Sequence, residues 1–320
     1  MSENKQEIQI GGQAVIEGVM MRGPGRLATA VRRKDKTIEL KIEQFESVTK
    51  RNRWLGAPVL RGFVTLLEML IIGIRTLNFS ASRAELDWTA EEQQNSSRKS
   101  ENRKKAEEIL SFILAFGLAF LLFAFLPYQI AAWLKLAKEN LFFNLFAGLI
   151  RIIFFVVYVW LIGRMKDVKR LFQYHGAEHK SVFAYEQDAK LDPVTIRSFS
   201  TFHPRCGTSY IFFVLLISIL LFSLIDTIVA AIWTIPPVMI RLAYHLLFLP
   251  LISGISYEIL RLSSRNISHP LVQLMTAPGL ALQRITTQPP DDEQVEVALI
   301  AMKCALEMDI SDYHGIRIIE

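Results

Sequence analysis

The sequence predicts an α-helical integral membrane protein with four transmembrane helices, a small cytoplasmic β-containing N-terminal domain and an amphipathic helical C-terminal tail. Apolar residues make up 51% of the 320 and give a mean hydropathy of +0.29. They are gathered into four long runs, Ile109–Leu126, Leu141–Gly163, Tyr210–Trp233 and Pro237–Leu260. At about 1.5 Å per residue even the shortest run reaches roughly 27 Å, close to the hydrocarbon thickness of a bilayer. The stretch before Phe45 is built differently, from short β-favouring runs punctuated by turn residues.

Within the β-rich region, 1–58, the runs Gln13–Met21, Leu27–Arg33 and Thr37–Phe45 read as a meander, broken at Gly23-Pro24-Gly25 and Lys34-Asp35-Lys36. Segment 59–79 is apolar but carries Arg61, Glu68 and Arg75 at spacings of seven, nearly in line on a helix, which predicts an interfacial or re-entrant helix rather than a span. Residues 80–108, rich in Glu, Gln, Ser, Asn and Lys, predict a polar linker into the first transmembrane hairpin, 109–163. A histidine- and cysteine-bearing loop, 164–209, precedes the second hairpin, 210–260. In the tail, 261–320, Ser268–Thr287 with Pro270 and Pro278 predicts a helical hairpin against the membrane. Pro289-Pro290-Asp291-Asp292-Glu293 then opens a helix whose Val295, Leu299, Met302 and Leu306 recur at helical spacing and should dock on the inner domain.

Charge fixes the expected orientation. Segment 164–209 holds eight Lys and Arg, whereas Pro127–Asn140 has only Lys135 and Lys138 and Thr234–Pro236 has none, so both termini and the histidine loop are expected in the cytoplasm. The first sixty-two residues hold twelve basic against seven acidic residues, a face suited to anionic membrane lipids or to a protein partner. Basic and aromatic residues do not interleave, so no nucleic acid partner is expected. Cys206 and Cys304 are too few for a disulfide framework, which fits a reducing compartment. Met1–Ile10 is polar and charged, so insertion should rely on the internal spans.

The chemistry is concentrated in Tyr174-His175-Gly176-Ala177-Glu178-His179-Lys180 and His203-Pro204-Arg205-Cys206-Gly207. On a helix, His175 and His179 at i and i+4 share a face and can address one ion. The order H-x-x-E-H inverts H-E-x-x-H and makes Glu178 the candidate general base. A third donor comes from His203 or Cys206, giving the candidate metal set His175, His179, His203 and Cys206 for a divalent ion, Zn²⁺ by donor type, with a position left for water as in catalytic zinc sites. Glu17 and Glu258 are further candidate carboxylates. The glycine-rich Gly11–Gly25 segment matches neither dinucleotide nor Walker patterns. Arg151, Asp226, Arg241 and His245 fall inside the apolar runs and need partners; an ion pair of Asp226 with Arg151 or Arg241 is expected over a transport path.

Three motifs together, Gly12–Arg22, His175–Lys180 and His203–Ser209, with Ile285-Thr286-Thr287 and Glu296-Val297-Ala298 downstream, resemble the YqhQ family. The resemblance implies a multi-pass protein of the bacterial plasma membrane and a metal-dependent enzyme without an assigned reaction. The resulting expectation is a membrane-embedded metal-binding protein acting as a hydrolase at the cytoplasmic face. Its rival is a non-enzymatic scaffold or accessory factor for membrane-protein insertion or assembly.

Overall fold

The structure is a computed structural model that describes residues 10–87, 101–134, 141–232, 238–266 and 269–319. It is mostly helical, with a small sheet formed mainly by the N-terminal region. In chain order the elements are β1 (Gly11–Val15), β2 (Gly18–Arg22), β3 (Arg26–Arg32), β4 (Ile38–Gln44), α1 (Val48–Arg51), α2 (Leu60–Glu85), α3 (Glu101–Phe120) and a π-turn (Leu121–Phe125). There follow α4 (Leu126–Trp133), α5 (Leu141–Ile162), α6 (Lys166–Glu186), α7 (Pro193–Ile196), α8 (Gly207–Ile232), α9 (Val238–Arg265), α10 (Pro270–Thr286), α11 (Asp292–Ala305) and β5 (Ile316–Ile319).

Alternation along the strands explains how the sheet is covered. Val19, Met21, Ala28, Ala30, Ile38 and Leu40 pack with Tyr174 and Ala177 of α6 and with Val295, Leu299 and Met302 of α11 in one core. Met20 and Leu27 point to the opposite face and meet Ile72 and Met69 of α2. α11 starts at a capping box in which Asp291 and Gln294 satisfy each other's backbone N–H groups.

Four features depart from the sequence expectations. Gln13–Met21 is not one strand but a hairpin, because Glu17 takes a left-handed φ of 54° and turns the chain back. The helix expected at 59–79 runs on to Glu85, since Ser80 accepts the Ile16 N–H and Arg83 pairs with Glu39, so tertiary contacts override a linker-like composition. The rest of that predicted linker lies partly outside the described residues, and its end is already helical from Glu101. Ser268–Thr287 is no hairpin: Pro270–Thr286 is a single helix with Pro278 inside, held against α8 where Gly279 leaves no room for a Cβ, its nearest neighbour being Ser209 Oγ at 2.8 Å. Finally, the tail is not wholly helical, because β5 pairs parallel with β4 and completes a five-stranded sheet in the order β1-β2-β3-β4-β5.

Among the described residues, four helical stretches are long and apolar enough to cross a membrane: Lys105–Trp133, Leu141–Ile162, Gly207–Ile232 and Ile240–Ser263. The first exceeds the expected run because the π-turn and the placement of Pro127 in the first turn of α4 let the helix continue. The polar groups within these helices find partners. Asp226 accepts from Arg241, Tyr244 and His245, the last at 3.0 Å, and Arg241 also donates to Asn144 at 3.0 Å. Arg151 is not the Asp226 partner; its Nε donates to the Phe123 carbonyl in the π-turn at 3.0 Å.

Candidate metal centre

α6 carries His175 and His179 one turn apart, and their ring centroids stand 4.4 Å from each other. Cys206, immediately before α8, brings its Sγ to 3.3 Å from His175 Nε2. One donor atom from each of His175, His179 and Cys206 lies within 4.8 Å of the others, a grouping that could hold a metal ion.

The hydrogen bonds of the two imidazoles test the fit. His175 Nδ1 faces the Thr286 carbonyl at 2.8 Å and His179 Nδ1 faces the Thr201 carbonyl at 2.5 Å. A carbonyl only accepts, so each ring carries a proton on Nδ1, and the neutral form of such a ring keeps a bare lone pair on Nε2. This is the outer-shell arrangement that fixes the tautomer of metal-binding histidines. Burial also holds His179 below the usual imidazole range and so keeps it in the neutral form a metal requires. The residues present therefore fit a metal ion.

Local sequence explains how the two carbonyls arrive. Gly176 has no side chain, and a Cβ there would stand 2.1 Å from the Gln288 carbonyl. The chain leaving α10 can thus lie along α6, where Gln288 N–H donates to the Phe172 carbonyl at 2.9 Å and Thr286 is presented to His175. On the other side Gln283 is fully buried and grips the backbone of His203, accepting from its N–H at 2.7 Å and donating to its carbonyl at 2.8 Å.

His203 stands outside that group of donor atoms. Its Nδ1 accepts from Arg205 N–H at 3.3 Å and its Nε2 faces Glu186 at 3.3 Å, so both ring nitrogens are engaged away from the cluster. Cys206 is the residue that joins the two histidines. Glu178 is buried with Oε2 at 3.5 Å from His179 Nε2, next to the donor atoms but not among them. Burial pushes its carboxyl above the usual range, and the Gly12 N–H is its backbone donor. Gly12 is needed there, because a Cβ would come within 2.9 Å of Glu178 Cγ.

The other two candidate carboxylates stand elsewhere. Glu17, on its turn, pairs with Arg170 and accepts from Tyr174 at 3.3 Å; Glu258 pairs with Arg61. Glu186, Gln283, Thr201, Thr286 and Gly176 were not assigned to the site from the sequence, although a glycine between the two histidines and the pair Thr286-Thr287 were visible signals.

Fold and site define a class: a mostly helical protein with a small sheet and four membrane-length apolar helices, in which α6 and the residue before α8 bring together a His-His-Cys group able to hold a metal. Residues 57–308 match the family described as Protein of unknown function (DUF1385), and the chain belongs to that family. It is 32% identical over 316 residues to "Uncharacterized protein YqhQ" of Bacillus subtilis (strain 168), an alignment covering 97% of this chain and 96% of that protein, in keeping with the YqhQ-type motifs. No solved structure matches the chain.

Proposed function

We propose that the chain is a multi-pass membrane protein that binds one zinc ion through His175, His179 and Cys206 and uses the adjoining cavity for a hydrolytic reaction at the cytoplasmic membrane face. The observation that carries the reading is the pair of Nδ1 contacts to carbonyls, which in the neutral rings turns both Nε2 lone pairs to the side of Cys206 Sγ. Two imidazoles and a sulfur suit zinc, and three protein donors are the number found in catalytic zinc sites.

Zinc bound there would act as a Lewis acid, polarising a substrate carbonyl or phosphoryl oxygen. Glu178 would supply the proton movement, its carboxyl lying beside the donor atoms, 3.5 Å from His179 Nε2. Gly12 N–H orients that carboxyl. The Gln283 clamp and the His203–Glu186 contact hold the Cys206 loop in place.

Membrane insertion is supported by side chains that water would not tolerate in such numbers. Phe112, Phe116, Phe142, Leu149, Leu220, Ile232, Leu246 and Leu247 are all exposed on the four apolar helices. Purified protein would be assayed for metal beside the His175→Ala/His179→Ala double variant. About one equivalent of zinc is expected in the native chain and almost none in the variant; equally low metal in both would remove the basis of the reading.

A further inference from the structure

The cavity beside the metal centre is about 470 Å³ and reaches from His175, His179 and Cys206 to Arg22 at the end of β2. Alternation sends Met21 into the α6 and α11 core and Arg22 to the other face, beside Met69 of α2. The Arg22 guanidinium lies over the Phe45 ring, 4.7 Å from its centroid, and Nη1 meets Met69 Sδ at 3.1 Å. Neither contact neutralises a cation: a thioether is a weak acceptor, and an aromatic face is worth about 0.5–2 kcal/mol.

Among the described residues Arg22 has no ion pair. Glu68, whose charge it feels, accepts instead from Ser47 Oγ at 2.7 Å and from Val48 N–H at 2.5 Å. Desolvation lowers the Arg22 pKa, the expected sign for a half-buried cation short of counter-charge. Lys50, exposed on α1, lines the same cavity and also makes no ion pair among the described residues. Arg205 lines it too but is matched by Glu186. The cavity, which Glu178 also lines at its metal-centre end, thus offers a forked guanidinium and an ammonium that no carboxylate pairs, the donor set that a phosphate dianion satisfies.

We infer that this cavity binds a phosphate-type oxyanion at Arg22, with Lys50 adding the second positive charge, so that the substrate class of the site is a phosphate-bearing molecule. The inference rests on the metal-centre reading for placing the phosphate near a reactive group, while anion binding itself can be measured separately. A lipid headgroup and a soluble phosphate compound share this chemistry. The exposed Leu67, Leu70, Ile71 and Ile74 on α2 would offer an acyl chain a path.

The full chain in phosphatidylcholine nanodiscs, with its metal content measured in the same sample, would be titrated with inorganic phosphate and with dihexanoyl phosphatidic acid. Binding of at least one probe is expected, weakened about tenfold or more in Arg22→Gln at unchanged metal content, and largely kept in Arg22→Lys. Preference for phosphatidic acid marks a lipid headgroup, and equal or better binding of inorganic phosphate marks a soluble compound. Neither probe binding, or equal affinity in Arg22→Gln, overturns the inference; an absence of metal with phosphate binding intact strikes only the metal-centre reading. Should Arg22→Gln not fold, phenylglyoxal modification of Arg22 in the native chain gives the same decision. Saturating phosphate or phosphatidic acid should slow it about fivefold or more for a group engaged by the anion, and an unchanged rate overturns the inference.

Discussion

His203 and Cys206 lie three positions apart and are both chemically competent donors, so spacing alone could not rank them. What separates them is the hydrogen-bond environment, which depends on Glu186 and on the Arg205 backbone rather than on the motif itself. The distinction can be measured. His175→Ala, His179→Ala and Cys206→Ala should each abolish stoichiometric zinc. His203→Ala should keep the metal within the roughly 10–100-fold affinity loss typical of outer-shell changes, while lowering the melting temperature because Glu186 loses a partner. Zinc lost from His203→Ala but retained by Cys206→Ala would reverse the assignment. Gly176 offers a second test at this scale. Alanine there must displace the Gln288 carbonyl, which stands 2.1 Å from where its Cβ would lie, at a cost of about 1–3 kcal/mol. As Thr286 withdraws from His175, zinc affinity should fall about 10–100-fold in competition with a chromophoric chelator. Unchanged affinity would mean that the carbonyl does not orient the ring. The i and i+4 histidines were legible because helical periodicity is local, whereas the partners of Glu17 and Glu258 lie far along the chain, at Arg170 and Arg61.

For the elements, α2 is the instructive case. Its Arg61, Glu68 and Arg75 repeat every seven residues, and the stripe suggested a face turned to lipid headgroups or a partner. The structure hands each charge to a different neighbour: Arg61 to Glu258 on α9, Glu68 to the start of α1, Arg75 to Glu43 on β4. Helicity was readable, but the tertiary demand on each side chain was not. Just beyond the end of α2, Asp87 accepts two hydrogen bonds from Arg33, at 2.8 and 3.0 Å, and ties the helix to the turn between β3 and β4. Those bonds hold the Asp87 carboxyl below its usual range. A depressed carboxylate contributes stability that is full above its unfolded pKa of about 3.9 and is lost as pH falls through the lower folded value. Asp87→Asn should therefore destabilise the protein by about 1 kcal/mol at pH 7, the upper end for a pair at the surface. The gap between native and variant melting temperatures should shrink as the pH drops below about 4. A constant gap from pH 7 to acid would show that the carboxylate's charge is not what ties the helix down.

Over the whole molecule, four apolar runs were legible because a span is a matter of composition and length, whereas the closing of the sheet was not. β5 is a four-residue strand that pairs parallel to β4 from the far end of the chain, and no short-range turn signal marks such a pairing. Its presence places residues 316–319 in the same sheet as residues 11–44, so N-terminal and C-terminal regions must lie on one side of any membrane the four helices cross. Four crossings would require the same thing, and the excess of Lys and Arg in 164–209 predicts that this side is the cytoplasm. Single cysteines at Asp35, in the turn between β3 and β4, and at Lys138, between the first two apolar helices, would test this with a membrane-impermeant maleimide. Cys206 and Cys304 are buried and should give little background. Asp35→Cys should label in inverted vesicles and stay dark in intact cells, and Lys138→Cys should do the opposite. Labelling of Asp35→Cys from outside intact cells would turn the molecule over and carry the metal centre to the oxidising face, where an unpaired Cys206 would be a poor choice of ligand.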